Sequence, residues 1–380
     1  MSYKNLIAFH NIGNSCYLNS ALQALLSCDE FRECVSISNN DKNKNSISVP
    51  FLSILEEISQ KRDNPETPIS NPILLKQMLS DHSSFFKGMH QQDCHECLVT
   101  ILDIIHENTK TEDPEYIKIL IVNNRTLKNV PLRGSTESVP LRGSTESVPL
   151  RGSTASPRRL CRTEGVLRLN DSANKHWNEI MSKSGLSFTS YLFSGQLRSN
   201  LVCQNCNNER DNFETINNLS LSLPDVKSLD IIDSFLNYFK TELLEDSNCV
   251  ECDNCKIKTK TKKSLSLWRF PKILIIHLKR YTQQSNGTYT RNNCIVDFSP
   301  ELIFRDKTDC KTKKIKLVYD LQCVVNHFGM TPMGGHYTTS VKYKGEKYDW
   351  VHIDDSNIYK SSEEDLVTAA AYILIYKLRN

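Results

Sequence analysis

The chain has 380 residues, 39% hydrophobic and 24% charged, a globular composition with length for one large domain or two to three average ones. Forty-seven basic against 44 acidic side chains leave a formal net charge of +3, which argues against a protein that lives on nucleic-acid phosphates. The longest apolar runs, "ILII" at 273–276 and "AAAYILIY" at 369–376, are too short to span a bilayer, and there is no basic leader with an apolar stretch behind it. The chain is therefore expected to be soluble, off the membrane and intracellular, in the cytoplasm, the nucleus or both.

"NIGNSCYLNSALQALLSC" (11–28) opens with turn residues and continues with Leu18, Ala21, Leu22 and Leu25 at helical spacing, Asn14 or Ser15 being placed to cap the first turn. Cys16 thus stands in the first turn of a predicted helix. "VPFLSILEEIS" (49–59) and "DCHECLVTILDIIHEN" (93–108) repeat the period, so the first hundred or so residues read as mostly helical. From 130 to 156 "VPLRGSTES" occurs twice and "VPLRGSTAS" once, a strict nine-residue period with one leucine per unit. Three such units bury too little apolar surface for a solenoid, and a disordered insertion is expected. Beyond about residue 190, short apolar or alternating runs such as "KILIIHLKRY", "KLVYDLQCVV", "HYTTSVKY", "DWVHIDD" and "YILIYKL" are strand signals. Helices first and strands later argue for an α+β architecture.

Fourteen cysteines without a secretory leader suggest thiols and metal ligands more than disulfides. Cys203 and Cys206 form one CxxC pair, and Cys252 and Cys255 a second one 45 residues on. Two such knuckles supply four thiolates for one tetrahedral ion, so a structural Zn²⁺ is expected. Cys249, three residues before the second pair, is the alternative fourth ligand. The basic run "KIKTKTKK" (256–263) reads as a solvated strand beside the knuckles.

A helix N-terminus lowers a thiol's pKa through its free N–H groups and dipole, which makes Cys16 a candidate nucleophile. Asn11 is the nearest amide side chain for an oxyanion, and Gly13 lets the backbone come close. In "GMTPMGGHYTTSVKY", His336 follows two glycines at the start of a strand and is the candidate base. In "WVHIDDS", Val351 and Ile353 share one strand face while Asp354 lies on the other, which favours Asp354 over Asp355 as the acid that orients His336. Cys28 has no such partners and reads as structural.

The order "NIGNSCYLNSALQALL", "GMHQQDCHECL", "CQNC…CDNC", "PKILIIHLKRY", "GGHYTTSVKY", "WVHIDDS" and "AYILIYKL" resembles the ubiquitin-specific proteases, from roughly residue 5 to 378. The resemblance implies one papain-like catalytic domain over 1–380. Its helical thumb would cover 1–110, an insertion 111–190, fingers tipped by a zinc ribbon 191–275, and a palm 276–380. It assigns Cys16 as nucleophile, Asn11 as oxyanion amide, His336 as base and Asp354 as orienter, with Asp355 at an acidic position that some members also use. It further implies that Gln92, Asp93, Glu96, Gly335 and Tyr337 meet the basic, glycine-ended tail of ubiquitin. In "QQDCHECL", Cys94 and Cys97 stand where alanine and phenylalanine are usual, and Cys97 is expected to loosen the packing beneath its helix. The implied partners are ubiquitin and ubiquitinated proteins, met by a monomer. A protease for a ubiquitin-like modifier, a ubiquitin-binding scaffold without activity and a zinc-ribbon nucleic-acid module are the competing readings.

Overall fold

Among the described residues, four helices dominate the N-terminal part, α1 (Cys16–Leu26), α2 (Asp29–Asn39), α3 (Ile73–His82) and α4 (Cys94–Thr109), with a short parallel pair, β1 (Ala8–Phe9) and β2 (Ile69–Ser70). The computed structural model describes residues 6–39, 55, 69–111, 162–305, 316–343 and 350–379. The repeats at 130–156 lie outside these residues, as does the segment 49–59 apart from Leu55.

α1 is buried along its whole length. Its polar residues must find partners inside the protein, and they do. Gln23 donates to the Ile7 carbonyl (2.5 Å) and Asn19 to the His10 carbonyl (3.3 Å), which binds the incoming chain along the helix. Leu18, Leu22 and Leu25 are at most 1% exposed, and truncation of one of them to alanine would cost about 2–5 kcal/mol. Asp93 caps α4, its Oδ1 accepting from the N–H groups of His95 (2.6 Å) and Glu96 (3.3 Å). Cys97 is fully buried in the core under α4, so the smaller side chain is enclosed there.

After α5 (Arg162–Ser184) and α6 (Phe188–Phe193), strands β3 (Gly195–Cys203) and β4 (Glu209–Ile216) lead away from the helical part. β5 (Leu219–Ser222), β6 (Ser228–Asp230), α7 (Ile231–Tyr238), β7 (Glu242–Leu244), β8 (Val250–Glu251), β9 (Lys258–Thr259) and β10 (Thr261–Arg269) follow. Strands β4, β3, β10 and β7 form an antiparallel sheet in that order, the fingers. From Lys258 to Lys262 lysines point outward while Thr259 and Thr261 are buried, so the basic run is a solvated strand face.

The largest sheet comprises β11 (Ile273–Lys279), β15 (Glu301–Arg305), β16 (Lys316–Thr331), β17 (Gly334–Lys342), β18 (Trp350–Asp354), β19 (Asn357–Ser361) and β20 (Ala371–Leu378), together with β5. Its order is β19-β18-β17-β16-β20-β11-β5, with β15 beside the first half of β16. Smaller pairs are β12 (Tyr281–Gln283) with β13 (Tyr289–Arg291), and β14 (Ile295–Asp297) with β6. The run "ILIIHL" is continuously apolar because both faces of β11 are covered: Ile273 and Ile275 face the helical core, Leu274 and Ile276 the opposite one. On β16 a bulge between Leu321 and Cys323 reverses this parity. Tyr319 and Leu321 face away from the helices, whereas Cys323 and Val325 face them.

Two expected boundaries move. The segment 191–275 is not all fingers, since β5 pairs in parallel with β11 inside the palm sheet and β11 already begins at Ile273. α6, which straddles the expected boundary between insertion and fingers, carries Phe188 and Phe193 against Phe31 of α2 (ring centroids 6.0 and 6.1 Å) and belongs to the helical core. Apolar strands and helices with neutral linkers carry no mark of which neighbour they will pack on.

Candidate active site

α1 lies against β16 and β17 on one side and α4 on the other, which sets its N-terminus at the junction between helices and sheet. The turn before it is built by Asn11, whose Oδ1 accepts from the N–H groups of Gly13 and Ser15 (3.1 Å each). Gly13 (φ +103°) and Asn14 (φ +51°) take the left-handed backbone this turn requires. The Asn14 side chain donates to the Met89 carbonyl (2.8 Å), tying the turn to the loop before α4. The expected cap does not form: Ser15 occupies the N-cap position, but its hydroxyl accepts from Ile12 N–H (3.0 Å) behind the turn. No side chain caps α1, so its first-turn N–H groups remain for an incoming anion.

Cys16 is 1% exposed, and its thiol is the neighbour that acts most strongly on the His336 imidazole of β17. Asp354, the last residue of β18, bonds Nε2 of His336 (2.7 Å), which leaves Nδ1 as the nitrogen toward Cys16. Cys16 and the Asp354 carboxylate hold the imidazole up at about 9, against the opposing effect of burial. The next residue, Asp355 (φ +50°), turns its carboxylate the other way. Its Oδ2 accepts from Asn11 Nδ2 (2.8 Å) and its Oδ1 from Asn19 Nδ2 (2.7 Å), and its carbonyl accepts from Phe9 N–H (3.1 Å). Cys16, His336, Asp354 and Asn11, some 320 residues apart in sequence, are thus assembled at one site, and Asp354 and Asp355 hold different partners. Cys28, fully enclosed, has its thiol pushed up to about 12 by burial.

The expected tail contacts divide. Glu96 is exposed on the first turn of α4. Asp93 is engaged internally: Oδ1 caps α4 and Oδ2 accepts from Tyr372 (2.6 Å). Gln92 is buried and donates to the Phe85 carbonyl (2.8 Å), and Tyr337 is 2% exposed and donates to the Pro332 carbonyl (2.8 Å), so neither faces a groove. Gln91, beside Gln92, has an internal role. It accepts from Gly335 N–H (2.6 Å) and donates to the Gly335 carbonyl, clasping the residue before His336 at both polar groups. In an irregular stretch two adjacent glutamines offer no period to say which points where.

In the fingers the two CxxC turns have the same design. Cys203 N–H bonds Asn208 O (3.0 Å) and Asn207 N–H bonds Cys203 O (2.9 Å); Cys252 N–H bonds Ile257 O (3.0 Å) and Lys256 N–H bonds Cys252 O (2.8 Å). Asn207 and Lys256 both have φ +57°. The Sγ atoms of Cys203, Cys206, Cys252 and Cys255 all lie within 4.8 Å of one another, with 4.0 Å between Cys203 and Cys255 and 3.6 Å between Cys206 and Cys252. Zn–S bonds of about 2.3 Å would set tetrahedral sulfurs about 3.8 Å apart, so the group fits such an ion. Thr259 Oγ1, 3.2 Å from Cys203, and the knuckle's backbone hold that thiol down at about 6, toward the thiolate a metal needs. Cys249 is outside the cluster.

A helix-start thiol, a strand histidine and a carboxylate arranged in this way define the cysteine peptidase type of site. Residues 7–376 match the family model described as ubiquitin carboxyl-terminal hydrolase, and the chain belongs to that family. It is 26% identical over 97% of its length to "Ubiquitin carboxyl-terminal hydrolase 4" of Candida glabrata and 28% identical over 98% to "Ubiquitin carboxyl-terminal hydrolase 21" of Mus musculus. The chain spans 40% of the first relative and 61% of the second. Among solved structures, the SAGA Ubp8/Sgf11/Sus1/Sgf73 DUB module bound to ubiquitin aldehyde contains a chain with a TM-score of 0.68 at 21% identity, covering all of this chain and 70% of that one. The fold is the papain-like thumb, palm and fingers of ubiquitin-specific proteases.

Proposed function

We propose that the chain hydrolyses the peptide or isopeptide bond after the C-terminal glycine of ubiquitin through a thioester on Cys16. The observation that carries this reading is His336 bonded to Asp354 through Nε2 with Cys16 as its other neighbour, beside an uncapped helix N-terminus and an anchored Asn11. Cys16 Sγ attacks the glycine carbonyl, and the oxyanion is met by first-turn N–H groups of α1 and the second Nδ2 proton of Asn11. The imidazolium protonates the departing amine as the C–N bond breaks, leaving the acyl group on sulfur. Neutral His336 then takes a proton from water, whose oxygen attacks the thioester and releases the carboxylate and the thiol. Asp354 holds the ring in its tautomer throughout.

The Cys203, Cys206, Cys252 and Cys255 sulfurs would hold Zn²⁺, which closes the two knuckles into one finger tip; no chemical step involves it. Glu96 is the outward carboxylate of its box and the one we assign to the basic part of the ubiquitin tail. All twelve cysteines among the described residues are free, which suits a reducing compartment, the cytoplasm or nucleus. Parallel assays on fluorogenic C-terminal conjugates of ubiquitin and of ubiquitin-like modifiers test the proposal. Release from ubiquitin, lost in Cys16→Ala with ubiquitin binding retained, is expected. Release only from another modifier, or none from either, would overturn it.

A further inference from the structure

A second histidine lies beneath the segment that presents His336, and the chemistry above does not use it. His327 of β16 is fully buried. The bulge at Leu321/Cys323 puts it on the helix-facing side, opposite Tyr337 in the β16–β17 register, and the two rings stack at 3.9 Å and 6°. Its Nδ1 meets the Tyr281 hydroxyl at 2.7 Å, while Nε2 is buried without a hydrogen-bond partner. Such an atom costs about 1–3 kcal/mol unless something nearby satisfies it.

What surrounds Nε2 is the glycine hairpin. A Cβ added to Gly329 or Gly335 would stand 2.8 or 2.9 Å from it, so there is room for neither a side chain nor a water. The same Gly329 Cβ would stand 2.0 Å from the Gly334 carbonyl oxygen, which makes that oxygen the neighbouring backbone acceptor for Nε2. The tautomer follows from counting protons. Tyr281 has one hydroxyl proton, and its two neighbours are His327 Nδ1 and the Gly329 carbonyl (3.0 Å). Arg291 Nη1 also donates to Gly329 O (3.0 Å), so that carbonyl stays satisfied when Tyr281 donates to Nδ1. The ring proton then sits on Nε2, toward Gly334 O. The other tautomer would aim a lone pair at a carbonyl oxygen in a dry site. Burial, with Arg291 nearby, pushes His327 down to about 3 and keeps it neutral.

We propose that His327 is a positioning residue: as the Nε2–H tautomer it donates to the Gly334 carbonyl and, opposite the Gln91 clasp on Gly335, fixes the backbone that presents His336 to Cys16. This rests on the proposed Cys16–His336 chemistry. An error of about 1 Å in such a placement is worth about 10²-fold in rate.

The test compares the whole chain with H327Q, H327N and H327F. Glutamine retains a donor where Nε2 stood, asparagine reaches only toward Tyr281, and phenylalanine keeps only the stack. With the ubiquitin conjugate, kcat of H327Q is expected within about tenfold of wild type, and H327N and H327F about 10²-fold lower with KM little changed. In the same two variants the alkaline limb of Cys16 alkylation by iodoacetamide should move below about 9. Nitrogen-15 spectra of the wild-type histidines, which need no variant to fold, should show His327 protonated at Nε2. Equal kcat in all three variants, an unmoved alkylation profile, or an Nδ1–H tautomer would each overturn the proposal. Failure of the wild-type chain to release the conjugate or to be alkylated at Cys16 would instead overturn the underlying chemistry.

Discussion

Asp355 holds two amide side chains at once, Asn11 and Asn19, and so couples the turn before Cys16 to the helix that carries it. Its part in the reaction is then to aim Asn11. Asn11→Ala and Asp355→Ala are each expected to lower kcat about 10²–10³-fold with KM little changed, and the double variant should be no worse than the Asn11 variant. Additive losses in steady-state assays would show that Asp355 acts independently of Asn11. The raised pKa of His336 sets the pH behaviour. Relative to an unfolded value near 6.5, a folded value of about 9 contributes stability that is full below the former and lost as pH rises through the latter. The ring is two-fifths exposed, so solvent screening keeps that contribution small and activity is the better readout. kcat/KM should hold to about pH 8 and fall by half near 9, and an alkaline limb near 6.5 would mean that Cys16 and His336 do not pair. Cys16, His336 and Asp354 were legible in sequence because nucleophile, base and acid each sit at an element end with a recognisable local pattern. Gln91 and Asn19 were not. Asn19 was marked only as a polar residue three positions along an apolar helix, a signal that gains meaning once its carboxylate partner is known.

The elements that serve the site are those whose irregularities place side chains. The β16 bulge is one: without it, Cys323, Val325 and His327 would face the opposite core. A strand covered on both faces buries polar as well as apolar residues, so the sequence "LQCVVNH" reads equally well with or without it. The CxxC turns are the opposite case, fully legible because metal chemistry demands both the residue type and the spacing. If the four sulfurs hold zinc, a strong chelator should release about one equivalent per chain. Hydrogen exchange should then rise at 201–208 and 250–261 while α1 stays protected, because the fingers share no core with it. Unchanged exchange in the knuckles after chelation would count against a metal at this site.

At the scale of the molecule, thumb and palm share, among the described residues, one large core and an ion pair with a buried carboxylate. Glu30 of α2, 5% exposed at its side chain, meets Lys377 of β20 at 2.9 Å. Removal of the lysine alone strands a buried carboxylate, so Lys377→Ala is expected to cost about 3–5 kcal/mol, whereas replacing both residues with methionine should restore most of the stability in a denaturant titration. Equal losses in the single and double variants would assign the cost to packing alone. The α+β class was readable from the order of helical and strand periods, and its three parts from the resemblance to ubiquitin-specific proteases. Where each part ends was not, because β5 and α6 are packed by surfaces distant in sequence. The central claim is that this assembly makes Cys16 the acyl acceptor for ubiquitin's C-terminus. The most direct measurement is intact-mass spectrometry after incubation with ubiquitin bearing a C-terminal vinyl sulfone, followed by peptide mapping. One ubiquitin added per chain, linked at Cys16 and absent from Cys16→Ala, is the expected result; no adduct, or an adduct on any of the other cysteines, would contradict the account.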